Sequence, residues 1–295
     1  MPYQLANPVI IQSDRSILLE VDNPLYTEAR DALARFAELE KSPEHIHTYR
    51  ITPLSLWNAA AAGMSAGDII QALNRYSKYD LPENVRIDIM DYVSRYGRLK
   101  LLQEDGQLIL RSDDKTLITE VTQHKRLKDY ILAQRDAYTL LVDPARRGFL
   151  KQALVVFGYP AEDLAGYEPG APLAIQLLEL TRSGFSFRLR RYQEEAAAIF
   201  YAGGTARGGS GVIVLPCGAG KTMVGLGIMV KLQCATLILT PSTVAARQWI
   251  DEILDKTTLD PEQVGEYTGL VKQIRPVTLT TYQICLLYTS DAADE

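Results

Sequence analysis

Two predominantly apolar runs, at 8–12 and 16–21, are separated by the turn-forming Ser13-Asp14-Arg15, which predicts a β-hairpin. A helix is expected next: Asn23 caps it, Pro24 takes its first position, and Leu25, Ala29, Leu33, Phe36 and Leu39 recur at helical spacing until Ser42-Pro43 stops it. Residues 46–51 read as a short strand. From Thr52 the period changes to three successive helices, over 53–62 ending at Gly63, over 66–79 capped by Ser65, and over 82–96 ending at Gly97. Strands at 98–103 and 107–111, joined through Glu104-Asp105-Gly106, form a second hairpin, because Asp-Gly favours the tight turn. Three helices followed by a hairpin is the order of a winged helix, and also that of a small helical bundle with a β flap.

Residues 113–187 give a mixed pattern: a strand near 117–121, a basic helical stretch over 125–134, a strand at 138–142 and a helix over 145–157. Gly158-Tyr159-Pro160 and Glu168-Pro169-Gly170-Ala171-Pro172 are turn-rich breaks, the second placed as a hinge. Beyond it the pattern is α/β. An apolar β-branched run at 211–215 leads through a glycine-containing loop into an apolar helix over 223–232. A strand at 235–240, a helix over 243–256 capped by Pro241-Ser242, and a strand at 277–281 complete a βαβ arrangement.

With 295 residues, 47% of them apolar, the chain can bury a core, and about 100–200 residues per domain suggests about two domains. The pattern places an N-terminal α+β domain with a winged helix at 1–125, a mixed α+β module with the hinge at 126–186, and an α/β lobe at 187–284. A net charge of −5 argues against an indiscriminately basic nucleic-acid coat, although local donors can still grip a phosphate backbone. Cys217, Cys234 and Cys285 form neither a Cys-x-x-Cys pair nor a disulfide ladder, and His45, His47 and His124 are assigned no metal. Residues 1–7 lack the features of a signal peptide and no run of about 18 apolar residues occurs, so no membrane is expected and the expected compartment is the cytoplasm.

In the third helix Glu83, Asp88 and Asp91 nearly cancel Arg86 and Arg95, which points to docking a protein partner rather than reading a DNA groove. Tyr76, Tyr79, Tyr92 and Tyr96, interleaved with Arg75, Lys78 and Arg95, suit either a core edge or stacking on bases.

The chemistry concentrates around Pro216-Cys217-Gly218-Ala219-Gly220-Lys221-Thr222. Glycines let backbone N–H groups turn toward phosphates, and the following helix adds its positive N-terminal end. Lys221 reaches the β and γ phosphates of ATP, and the Thr222 hydroxyl ligates Mg²⁺, which makes Lys221 and Thr222 the catalytic candidates. Leu215 stands where the general phosphate-loop pattern has its first glycine, and Pro216 makes the turn instead. Upstream, Leu189-Arg190-Arg191-Tyr192-Gln193 opens a helix; the Gln193 amide can donate to and accept from an adenine edge, and Arg190 can stack on the ring or brace the loop. Thr240, Pro241, Ser242 and Thr281 project at the carboxyl edge of the strands, with Arg247 on the next helix, and suit sequence-independent contacts to DNA phosphates. Ser242 fits equally well as a plain helix cap.

Together these residues resemble the XPB family of superfamily 2 helicases. Residues 189–194 resemble its adenine motif, 212–222 its motif I with Cys217 as a family mark, and Thr280-Thr281-Tyr282-Gln283 the DNA-contacting end of its first lobe. The resemblance implies an incomplete first RecA-like lobe with a parallel sheet and phosphate loop. It also implies ATP and Mg²⁺ use, movement 3′ to 5′ on DNA in repair or transcription, and a repair nuclease or other protein partner at the N-terminal domain. Residues 7–102 look like the N-terminal domain of bacterial members, and 126–186 fall where the family places damage recognition. After Gln283 no Asp-Glu-x-His box, Ser/Thr-Ala-Thr motif, second lobe or arginine finger follows, so this fragment is expected to bind nucleotide without hydrolysing it. Residues 285–295 look like translated sequencing adapter, the alternative being an acidic tail. The motor subunit of a restriction system shares the first-lobe motifs, and a non-catalytic winged-helix protein with a vestigial loop is the reading from another class.

Overall fold

In the computed structural model, which describes residues 4–284 apart from Pro169, Ala206, Arg207 and Cys217, the first two apolar runs pair as expected. β1 (Val9–Ile11) and β2 (Ser16–Glu20) are antiparallel, and with β3 (Glu38–Lys41) and β4 (Ile46–Arg50) they form a sheet of order β1-β2-β4-β3. Val9, Ile11, Ile17 and Leu19 are buried from its inner face, as strand alternation requires. Against them pack α1 (Tyr26–Leu33), α2 (Pro53–Ala61), α3 (Ala66–Tyr76) and α4 (Glu83–Arg95), through Ala29, Leu33, Leu56, Ile69, Leu73, Val85 and Ile89. Thr52 with Ser55 and Ser65 with Asp68 close reciprocal capping boxes, which fix where α2 and α3 begin.

The first helix is shorter than its periodicity suggests. It stops at Leu33, Phe36 turns into the core at 1% exposure, and Leu39 lies 53% exposed on β3, paired to β4. Asn23 does not occupy the cap position; its Oδ1 accepts from the Leu25 N–H in a turn just before the helix. The charged outer residues of β3, Glu38, Glu40 and Lys41, suit an edge strand that must resist pairing with another chain.

The second hairpin, β5 (Leu99–Glu104) and β6 (Gln107–Arg111), departs from the winged-helix expectation. Instead of covering the three helices, it joins β7 (Ile131–Gln134), β8 (Thr139–Val142) and β9 (Ala161–Asp163) in a sheet of order β7-β8-β6-β5-β9. This sheet has its own core, in which Leu99, Leu101, Leu108 and Leu110 meet Leu117, Ile118 and Val121 of α5 (Lys115–Gln123) and Leu150 and Leu154 of α6 (Arg147–Phe157). Two elements are thereby corrected. The segment expected as a strand near 117–121 is helical, started by the Asp114 carboxylate accepting from Thr116 and Leu117 N–H. The segment expected as a basic helix over 125–134 makes one short turn at Lys128–Tyr130 and then β7. A boundary between 125 and 126 would cut this core, whereas the chain divides into two compact units, Met1–Ala165 and Gly166–Glu295.

Within the first unit, β9 ends on Asp163, whose carboxylate accepts from Arg147 at 2.5 Å and Lys151 at 2.9 Å. Burial pushes the carboxyl up, but the hydrogen bonds from Arg147 and Lys151 more than offset this, so its pKa lies below the ordinary carboxylate value. A depressed folded-state pKa means that the stabilisation is present above the unfolded pKa and is lost as pH falls through the folded one. Asp163→Ala is therefore expected to cost about 1–3 kcal/mol at neutral pH, with the difference from wild type shrinking below about pH 4. Urea titrations at the two pH values check it, and an equal loss at both would contradict the ion-pair origin.

The second unit contains α7 (Arg191–Tyr201), α8 (Lys221–Leu232), β10 (Thr236–Thr240), α9 (Thr243–Lys256), β11 (Val264–Tyr267) and β12 (Val277–Thr281). Its strands are parallel in the order β10-β12-β11, as the βαβ pattern requires for β10 and β12. Val277, Leu279 and Val264 bury against α8 and α9 through Leu226, Met229, Ala246 and Ile253. Two helix-interior glycines explain themselves here. A Cβ at Gly225 would lie 2.4 Å from the Trp249 ring on α9, and one at Gly227 would lie 3.0 Å from Leu189. Gly225→Ala is expected to destabilise the second unit by about 1–3 kcal/mol through overpacking, despite alanine's better helix propensity; denaturant unfolding measures this.

The expected strand at 211–215 is absent as a strand. Val212 and Val214 are 89% and 86% exposed, and no described strand bonds to the segment. Only the half of the βαβ pattern from β10 onward forms.

Candidate nucleotide and nucleic-acid site

The loop before α8 is shaped by two left-handed glycines, Gly218 at φ 78° and Gly220 at φ 77°, the second serving as the N-cap of α8. Left-handed residues of this kind turn successive N–H groups to one side, and the start of a helix has N–H groups without intrahelical acceptors. Lys221 opens the helix, exposed, with Nζ 3.3 Å from the Pro216 carbonyl at the beginning of the same loop. Thr222 follows in the first turn, half-buried. A lysine over a glycine loop at a helix N-terminus is a donor set that fits the phosphates of ATP, and the Thr222 hydroxyl is the group present that fits Mg²⁺. Cys217 lies outside the described residues, and so do residues 285–295. Among the described residues there is no His/Cys/Asp/Glu cluster suited to a metal, and no helix is long and apolar enough to cross a membrane.

Helix α7 brings Gln193 onto this loop. Its Oε1 accepts from the Arg190 N–H at 2.9 Å, its Nε2 donates to the Ala219 carbonyl at 2.9 Å, and the residue is only 5% exposed. The amide is thus tied at both ends to the protein; Nε2 also donates, at a long 3.4 Å, to the Tyr192 hydroxyl, so both N–H groups are engaged and one lone pair of Oε1 remains. Arg190 is exposed at the start of α7. Beside Gln193 the Tyr192 hydroxyl also donates to the Ala219 carbonyl, at 2.7 Å. Sequence reasoning gave Tyr192 no role; its position next to Gln193 was the only signal available.

At the carboxyl ends of β10 and β12 the expected backbone-binding residues separate into two groups. Thr240 and Thr281 are buried, at 2% and 5% exposure, and the Thr240 hydroxyl donates to the Ser242 and Thr280 carbonyls. Thr240 thus spends its hydroxyl within the protein at the sheet edge, and Thr281 is buried beside it. Pro241 and Ser242 are exposed, and the Ser242 Oγ accepts from the Ala245 N–H as the cap of α9. Arg247, one turn further on, keeps 60% of its side chain exposed while its Nε donates to Glu266 of β11 at 3.1 Å. Burial pushes the Glu266 carboxyl up, yet the hydrogen bonds from Arg247 and from the Thr268 hydroxyl bring it below the usual carboxylate range. A buried carboxylate in β11 therefore holds the Arg247 guanidinium at the surface.

The relationships of the sequence are to helicases. Residues 9–136 match the family described as "Helicase conserved C-terminal domain", and residues 186–290 match "Type III restriction enzyme, res subunit". The chain is 48% identical, over 94% of its length, to the "DNA 3'-5' helicase XPB" of Kineococcus radiotolerans, covering 48% of that protein. Against the protein of the same name from Mycobacterium tuberculosis the identity is 48% over 94% of the chain and 49% of the relative. The "General transcription and DNA repair factor IIH helicase/translocase subunit XPB" of Encephalitozoon cuniculi is 28% identical over 98% of the chain and 43% of its own length. The chain belongs to the XPB family of superfamily 2 helicases. It spans about half the length of the curated relatives it matches.

Proposed function

We propose that the protein containing this chain is an ATP-dependent DNA helicase or translocase of the cytoplasm, moving 3′ to 5′ and serving repair or transcription. The observation that carries this is the pairing of a glycine loop at the head of α8 with a glutamine-bearing helix whose side chain reaches that loop. In this reading Arg190, Gln193, Gly218, Ala219, Gly220 and Pro216 surround ATP, with Cys217 in the same loop; Lys221 neutralises its β and γ phosphates and Thr222 ligates Mg²⁺. Gln193 addresses adenine with the remaining lone pair of Oε1 and with the N–H that makes only the long 3.4 Å bond to the Tyr192 hydroxyl. Pro241, Ser242 and Arg247 contact the phosphate backbone of DNA without regard to sequence. The first unit docks a protein partner such as a repair nuclease. Residues 1–284 alone bind nucleotide without turning it over.

The match to a restriction subunit supports a second reading, a restriction-type DNA translocase. That match covers the lobe alone, whereas the XPB relatives align through both units, which favours the first reading. The deciding experiment is to assay the full gene product for DNA-stimulated ATP hydrolysis and for displacement of a strand from a duplex bearing a 3′ tail. Hydrolysis with displacement supports the helicase. Hydrolysis with translocation and no displacement narrows it to a translocase, and no stimulated hydrolysis overturns both readings.

A further inference from the structure

The Ala219 carbonyl receives two hydrogen bonds from one short stretch of α7, from the Tyr192 hydroxyl at 2.7 Å and from Gln193 Nε2 at 2.9 Å. A carbonyl oxygen has two lone pairs, so this acceptor is saturated. The peptide joining Ala219 to Gly220 is trans, and in a planar trans peptide the C=O and the following N–H point in opposite directions. Fixing the Ala219 oxygen toward α7 therefore fixes the Gly220 N–H away from α7. Gly220, flanked by Ala219 and then by Lys221, has a left-handed backbone that could otherwise flip this peptide at low cost, because glycine visits both signs of φ readily. The contact is close as well as doubly bonded: a Cβ on Gly220 would stand 2.6 Å from Gln193 Nε2.

We propose that Tyr192 is a positioning residue for the phosphate loop, its hydroxyl locking the Ala219–Gly220 peptide so that the Gly220 N–H faces the nucleotide phosphates. This rests on the nucleotide site proposed above. Tyr192 is 37% exposed, so the hydroxyl bond, and not burial of the ring, is what ties it to the loop. The two neighbours on α7 then divide the work. Gln193 addresses the base and shares in holding the loop; Tyr192, whose hydroxyl also accepts the long 3.4 Å bond from Gln193 Nε2, acts on the phosphates chiefly through the loop peptide.

The test is Tyr192→Phe in the full gene product, which deletes one oxygen and keeps the ring. ATP and GTP are titrated by equilibrium binding, with pyrophosphate and adenosine as separate competitors. The expected result is a loss of about 2- to 10-fold in affinity, equal for ATP and GTP, the loss of one hydrogen bond's worth of preorganisation. Pyrophosphate should weaken by the same factor and adenosine not at all. Unchanged nucleotide affinity overturns the proposal. So does a changed ATP-to-GTP preference or a weakened adenosine, either of which would make Tyr192 a base contact or a general support of the lobe. A wild-type protein that binds neither ATP nor pyrophosphate would refute the nucleotide site itself, an outcome distinct from failure of the tyrosine lock.

Discussion

Lys221→Ala in the full gene product is expected to abolish DNA-stimulated ATP hydrolysis, with kcat falling at least about 10²- to 10³-fold, while the chain remains folded. The geometry gives the reason for both halves. Lys221 is exposed at the first position of α8, where alanine is a good helix residue, and among the described residues its ammonium bonds the Pro216 carbonyl alone, at 3.3 Å. No buried partner is left unsatisfied when it is removed. The ammonium's place over the loop is where charge on the β and γ phosphates would be neutralised, and no other lysine or arginine of the described loop replaces it. Single-turnover hydrolysis beside a thermal melt checks the pair of expectations. Retained turnover would remove Lys221 from the site, and a collapse of the melting transition would make the loss of activity structural.

Legibility of the fold in the sequence followed the locality of the forces. Helices α2, α3 and α9 begin where Thr52, Ser65 and Ser242 predict, because a side-chain cap and an apolar period act within one turn of chain. The strand β12 also lies where its apolar run places it. Failures came where two local signals competed or where the decisive partner was distant. Leu117, Ile118 and Val121 are β-branched or apolar enough to suggest a strand, yet their spacing is helical and Asp114 caps it. Phe36 and Leu39 extend a helical period that the sheet interrupts, because pairing with β4 satisfies the backbone better there. The strand β11, Val-Gly-Glu-Tyr, carries no strong strand pattern; its buried Glu266 is tolerable only because Arg247 arrives from α9. In the candidate site, the glycine loop before α8 and the helix start that carries Gln193 were legible as residue patterns. The Tyr192 bond to a carbonyl 27 residues away was not.

The unformed strand at 211–215 leads to the second large expectation. A β-branched run with Val212 and Val214 almost fully exposed conflicts with its own composition, since such runs are stabilised by burial in a sheet. The sheet beside it is equally incomplete. Parallel sheets are normally covered on both faces. Here Val277 and Leu279 are covered by helices, while Leu237, Thr278, Thr280 and Tyr267 line an open cavity of about 600 Å³ on the opposite face. The Thr280 hydroxyl, buried there, has no hydrogen-bond partner among the described residues. Among the described residues, segment 211–215 and this face thus lack neighbours of the same kind, and the XPB relatives extend to about twice the length spanned here. We expect that the full gene product supplies those neighbours and so draws 211–215 into the sheet, setting the phosphate loop on a strand at one end and on α8 at the other. Compared with residues 1–284, the full product should show strong hydrogen-exchange protection of the 212–215 amides and bind ATP at least about 10-fold more tightly, as expected when loop ordering precedes binding. Equal protection and equal affinity in the two would mean that the loop is organised by α7 and α8 alone, and that the exposed valines have another partner.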